Sequence, residues 1–297
     1  MTPTSADTTY DMYADFARDG FVVARDLLDR DRVLAVRAYA ETLLSASNAG
    51  KSGRVQTAFD RSGGVRVVKA SGLADRDARF RELATDTRLV DAVETLLGAG
   101  SRRFRDVLVV KPARTGGVLS YHQDSAYWDV EPQALVSCWI PLGDVSQEAS
   151  CLTVIPGTHT ALVPHALYVG GRQVPQPVTR ALRRLVTYAG TGDNPDSGGG
   201  NPAVWKAKRW LLADTTKYAP LLFDLQDFRL PVDAQAPRTE VALPVKAGDV
   251  ILFHSLLWHA SGPNRSDVAR MAEIVSFMGP SARFVGRGHA HFPLARA

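Results

Sequence analysis

The segment SYHQDSAYW carries His122 and Asp124 two residues apart, a spacing that on an extended strand sends both side chains off one face. An imidazole nitrogen and a carboxylate oxygen aimed at one point can bind a metal. Farther along, the turn AGD at Ala247 to Asp249 launches VILFHSLLWHAS and brings His259 near the exit of another strand. Two histidines and one carboxylate make the facial triad of non-haem Fe(II) oxygenases, which leaves positions open for a bidentate 2-oxo acid and for dioxygen. His254 precedes His259 by five residues and so faces the other way on a regular strand, which makes it a core residue or a neighbour of the ligands. Arg270 follows His259 by eleven residues, at the start of VARMAEIVSFM. A guanidinium fork there suits the distal carboxylate of 2-oxoglutarate, and Ser261, on the face of His259, adds a hydroxyl donor. Arg265, in the turn GPNRS, reads as solvated.

Strands must hold these residues, and the pattern supplies them after Phe104. There, short runs rich in Val, Leu and Ile (FRDVLVVKP, QALVSCWIPL, SCLTVIPG, VARMAEIVSFMG) alternate with Gly, Pro, Asp and Asn, which predicts a β-sandwich or barrel. Before it, Tyr10 to Asn48 reads as helix, short strand at GFVVARDLL, and helix, and Leu83 to Leu97 repeats the helical period up to a glycine stop. We read a single domain: a helical flank over 1–103, a barrel core over 104–159 and 238–280, and an insertion over 160–237 with a glycine-rich loop at Gly190 to Asn201. His159 is expected to be structural or pocket-lining, His165 to lie in an exposed loop, and His289 with His291 in a terminal loop. Trp205, Trp210, Tyr218, Phe223 and Phe228 either line a pocket for a ring-bearing substrate or pack the insertion.

The 297 residues are 45% apolar and 22% charged with two Cys, which excludes collagen-like, disordered and disulfide-framework classes. Cys138 and Cys151 read as reduced core residues. The net charge of +4 comes from 28 Arg and 7 Lys spread among 31 acids, so no nucleic-acid partner is expected. The opening MTPTSADTTYDMYADF has neither a basic nor an apolar run, and no later stretch has membrane-span length, so the expectation is a cytoplasmic protein with no membrane partner.

In order along the chain, FARDGFVVARDLL, VVKASGLADRDARFRELA, VVKPARTGGVLSYHQDSAYW, SCWIPLGDVSQEASCLTVIPGTH and AGDVILFHSLLWHASGPNRSDVAR resemble the phytanoyl-CoA hydroxylase family of Fe(II)- and 2-oxoglutarate-dependent dioxygenases. The resemblance implies a double-stranded β-helix, a jelly-roll of two four-stranded sheets with flanking helices. It implies iron on His122, Asp124 and His259, and 2-oxoglutarate held by Arg270 and Ser261 with Lys69, Gln123 and Trp139 nearby. The insertion would cover the active-site mouth. The retained Asp124 argues against halogenation, because the halogenating relatives carry a small residue there. Arg265 and Arg270 are five apart, not the six of the nucleic-acid demethylases. The implied activity is oxidation, most simply hydroxylation, of a C–H bond of a small molecule such as a natural-product intermediate. A non-catalytic or oxo-acid-independent metal-binding β-barrel is the alternative.

Overall fold

The computed structural model describes residues 5–47, 55–59, 65–114, 117–169, 172–177, 179, 228–231, 238–285 and 292–296. The chain opens with α1 (Ser5–Asp19), β1 (Phe21–Ala24) and α2 (Arg30–Ser47), the helix, strand and helix read from the sequence. Gly20 joins the first two at φ +82°, where a Cβ would lie 2.5 Å from His159 Nδ1, so this turn requires glycine on both counts. The hairpin β2 (Val55–Phe59) and β3 (Val65–Ser71) follows, then α3 (Ala78–Ala84) and α4 (Thr87–Leu97). Asp77 and Asp86 cap these two helices by accepting from the Arg79 and Arg88 amides, and α4 stops at Gly98 with φ +99°. The single helical run expected up to Leu97 is thus two helices, divided where Asp86 offers a better cap than a continued turn.

The remaining strands are β4 (Arg102–Lys111), β5 (Leu119–His122), β6 (Val130–Glu131), β7 (Leu135–Pro141), β8 (Leu152–Ile155), β9 (Ala166–Val169), β10 (Arg172–Gln173), β11 (Phe228–Arg229), β12 (Val241–Leu243), β13 (Val250–His254), β14 (Trp258–Ser261), β15 (Arg270–Met278) and β16 (Arg283–Phe284). They form an antiparallel major sheet, β1-β13-β7-β15-β4-β3-β2, and an antiparallel minor sheet, β12-β8-β14-β5. From β4 onward successive strands of the two sheets alternate between them except at β8 and β12, which pair within the minor sheet, and these eight strands make a jelly-roll. Residues 1–103 are not only a helical flank: they lend β1, β2 and β3 to the edges of the major sheet.

Period-two alternation divides the core. On β15, Met271, Val275 and Phe277 pack outward against the helices with Leu83, Leu89 and Val93. The intervening Ala272 and Ile274 turn inward to Trp139, Ile251 and Phe253, where the minor-sheet residues Leu152, Val154 and Leu243 meet them. Cys138 and Cys151 are free and buried, as expected. Among the described residues no helix is long and apolar enough to cross a membrane.

Both ends of the 160–237 segment are visible as the small sheet β10-β9-β11. Its stems bracket β5: the Leu230 amide donates to Tyr121 O, and Arg229 donates to Ser120 Oγ at 2.9 Å. Phe228 opens β11, whereas the glycine-rich loop, Trp205, Trp210, Tyr218, Phe223, His289 and His291 lie outside the described residues.

Candidate metal centre

Strand pairing brings the two histidines together. His259 on β14 lies directly opposite His122 at the end of β5, and their ring centroids are 4.1 Å apart. Gln123 keeps an extended backbone, and Asp124 then begins a 3-10 turn over Asp124–Tyr127, so its carboxylate folds back toward the pair. Asp124 Oδ1 is 3.9 Å from His122 Nε2 and 3.7 Å from His259 Nε2. One ligand atom from each of the three residues lies within 4.8 Å of the others.

The surroundings fix each ligand's orientation. His122 Nδ1 contacts Ser120 O at 2.8 Å and His259 Nδ1 contacts Leu257 O at 3.0 Å. A carbonyl only accepts, so each Nδ1 carries the proton and each Nε2 lone pair faces the centre, the tautomer that metal-binding histidines use. Burial, reinforced by His259 alongside, holds the His122 imidazole well below its ordinary pKa and therefore neutral. Ser137 donates to Asp124 Oδ2 at 2.8 Å and is itself 3.1 Å from Ser276 Oγ, leaving Asp124 Oδ1 turned to the histidines. Two imidazoles and one carboxylate, with three protein ligands and no fourth among the described residues, fit a divalent iron better than a closed zinc site.

Arg270 begins β15 on the inward face. It is 4% exposed, its Nε has no hydrogen-bond partner, and among the described residues no carboxylate pairs with its guanidinium. Burial lowers its pKa to about 10. The guanidinium carbon lies 5.5 Å from the Trp139 ring centroid, so Trp139, which the family resemblance assigned to the co-substrate, stands beside this cation. Ser261 is buried on β14, and its hydroxyl accepts from Lys111 Nζ at 2.7 Å. A buried cation without a carboxylate is costly unless an anion arrives.

Lys69 on β3 is exposed, yet near enough to the centre for its charge to add to the lowering of the His122 pKa. Gln123 is buried with its amide committed away from Arg270: it donates to Ala161 O and Leu256 O and accepts from the Val163 amide at 2.8 Å. His165 is buried rather than exposed, because its Nε2 accepts from the Gln123 amide at 2.9 Å and its Nδ1 faces Val163 O. His159 and His254 stack with ring centroids 5.6 Å apart beneath α1, and burial beside His159 depresses His254 to about 4. Arg265 is exposed, as read from its turn. Ser137 and Lys111 escaped the sequence reading. Their only trace there is a polar residue inside LVSCWIP and a lysine ending the apolar run VLVVK.

The fold recurs in solved proteins. The non-haem α-ketoglutarate-dependent epimerase SnoN from nogalamycin biosynthesis superposes with a TM-score of 0.66 at 19% identity, covering 99% of this chain and 100% of that one. Iron-bound EctD from S. alaskensis gives 0.61 at 22% identity, covering 99% and 85%. In sequence, the chain is 25% identical to peroxisomal phytanoyl-CoA dioxygenase of Rattus norvegicus over 268 residues, 86% of this chain and 64% of the rat protein. It is 22% identical to a phytanoyl-CoA dioxygenase domain-containing protein 1 homolog of Dictyostelium discoideum, with 91% of each chain covered. The chain thus spans a little under two thirds of the rat relative. The profile of phytanoyl-CoA dioxygenase (PhyH) matches residues 16–272, which include every strand of the jelly-roll up to the first residues of β15 and all the ligands described above. The chain belongs to the phytanoyl-CoA dioxygenase family.

Proposed function

We propose that this protein is an Fe(II)- and 2-oxoglutarate-dependent dioxygenase that oxidises, most simply by hydroxylation, a C–H bond of a small molecule. The observation that carries the reading is a three-ligand metal centre on the minor sheet with, on the facing major sheet, a buried Arg270 that no carboxylate of the described residues pairs. His122, Asp124 and His259 hold the iron, and Arg270 with Ser261 holds the distal carboxylate of 2-oxoglutarate. When bound, iron would activate dioxygen, the oxidant, and 2-oxoglutarate would supply two of the four electrons its reduction takes, leaving as succinate and carbon dioxide, while the substrate C–H bond supplies the other two. The chain's own part is orientation: Ser120 and Leu257 carbonyls fix the imidazoles, Ser137 fixes Asp124, and Trp139 packs beside the guanidinium. The inward apolar residues Ile251, Phe253 and Ile274 keep water from the floor of the cavity.

The substrate is proposed to be a natural-product intermediate. Support comes from the family and from structural relatives whose names refer to nogalamycin biosynthesis and 5-hydroxyectoine. A barrel that only stored metal would gain nothing from a buried guanidinium lacking a carboxylate.

The test is substrate-independent turnover, with succinate released from 2-oxoglutarate measured with and without Fe(II). We expect iron-dependent release by the native chain and at least a tenfold loss of kcat/KM for 2-oxoglutarate in Arg270→Ala, the order of a charge-assisted bidentate contact. Release that ignores Fe(II), or an Arg270→Ala variant with unchanged kcat/KM, would overturn the proposal.

A further inference from the structure

A second buried cation stands behind the first. Lys111, the last residue of β4, is fully buried and lies opposite Arg270 in the β4–β15 register, so both side chains leave the same face of the major sheet.

The protons around Lys111 can be assigned. Its three protons share four oxygens within reach of Nζ, Ser150 Oγ at 3.0 Å, Ser261 Oγ at 2.7 Å, Ser261 O at 3.0 Å and Gly262 O at 2.5 Å. Ser150 sends its own proton to Gly262 O at 2.6 Å and therefore accepts from the ammonium. Ser261 likewise accepts from Lys111, which obliges its hydroxyl proton to point away from the ammonium. Ser261 is two residues beyond the ligand His259 on the same strand. The lysine thereby leaves the Ser261 proton for an acceptor other than itself.

We propose that Lys111 is a positioning residue of the co-substrate pocket. It holds the Ser261 hydroxyl in the orientation that donates to the distal carboxylate, and so makes the pocket prefer a 2-oxo dicarboxylate to a 2-oxo monocarboxylate. This rests on the dioxygenase reading above. Neither the triad nor the Arg270 assignment requires it.

Calorimetric titration of the anaerobic Fe(II)-loaded protein with 2-oxoglutarate and with 2-oxobutyrate tests it, alongside thermal unfolding. For Lys111→Met we expect 2-oxoglutarate to bind at least tenfold more weakly and 2-oxobutyrate to bind as before, with a lowered but still cooperative melting transition, since buried oxygens lose their donor. Because Lys111 acts through Ser261, the double variant with Ser261→Ala should lose less than the product of the two single losses. Should Lys111→Met not fold, Lys111→Gln, whose amide stops one bond short of the place the ammonium takes beside Ser261, is expected to lose the preference for the dicarboxylate. Native-like 2-oxoglutarate affinity in a folded lysine variant overturns the proposal. So does an equal loss for both acids, which would mark a purely structural lysine. A native protein that binds iron but not 2-oxoglutarate overturns the dioxygenase reading itself.

Discussion

Asp124 presents one oxygen to two imidazole nitrogens while Ser137 occupies the other, and this division of labour decides how firmly a metal is held. Removing the Ser137 hydroxyl frees the carboxylate to rotate, so Ser137→Ala should weaken metal affinity by about 10- to 100-fold, the usual effect of an outer-shell partner. Metal titration monitored by calorimetry checks this, with an unchanged melting temperature as control for folding. At this scale the ligands were legible because coordination demands spacing: His122 and Asp124 two apart, and His259 on a strand paired with the first. Arg270 was legible because a charged residue begins a strand whose other inward positions are small or apolar. Ser137 and Lys111 were not, since a single hydroxyl or ammonium inside an apolar run carries no period, and only the folded cavity tells what it touches. Gln123 illustrates the converse. Its place between two ligands suggested a co-substrate contact, but strand alternation turns it to the opposite side, where backbone groups claim its amide.

That same amide works at the scale of elements. Gln123 ties the loop after β8 (Ala161 and Val163) to the turn before β14 (Leu256), and with His165 it fastens the entrance of the 160–237 segment against the metal-bearing strand. Gln123→Ala strands a buried amide and two carbonyls, which should cost about 2 kcal/mol, read as a lowered urea midpoint at constant slope. If Gln123 acts only through this tie, the folded variant keeps native affinity for 2-oxoglutarate, and a separate loss of that affinity would assign it to the pocket instead. The sequence read the existence of most elements correctly because hydrophobic period and glycine stops are local. It merged α3 with α4 because a cap such as Asp86 resembles any surface acid until its oxygen is seen on the Arg88 amide. It overlooked the strand character of residues 55–71, since edge strands take their identity from the sheet they join.

Across the whole molecule, the layers set stability as well as the site. On the outer face of the major sheet, Glu273 is fully buried and neither of its oxygens receives a hydrogen bond. Burial, with Asp106 beside it, pushes its carboxyl well above the ordinary value, and the proton it retains is shared toward Asp106; Arg103 opposes the shift only weakly. The folded chain therefore holds a proton that the unfolded chain has released, and stability falls as pH rises between the unfolded and folded values. Glu273→Gln supplies a permanent donor in place of that proton. Its melting temperature should exceed the native one by a margin that grows between about pH 5 and pH 8, and a margin independent of pH would refute the assignment. The jelly-roll was legible in outline from strand texture alone, whereas the sorting of strands into two sheets was not, because sheet partners are distant in sequence. The central claim joins the scales, since one cavity between those sheets must take iron at one end and a carboxylate at the other. Its most direct measurement is anaerobic addition of Fe(II) and then 2-oxoglutarate to the apo-protein, watching for the visible metal-to-ligand charge-transfer band. The account predicts a band in the native chain, weakened in Arg270→Ala and in Asp124→Ala; iron-loaded, folded protein that develops no band would contradict it.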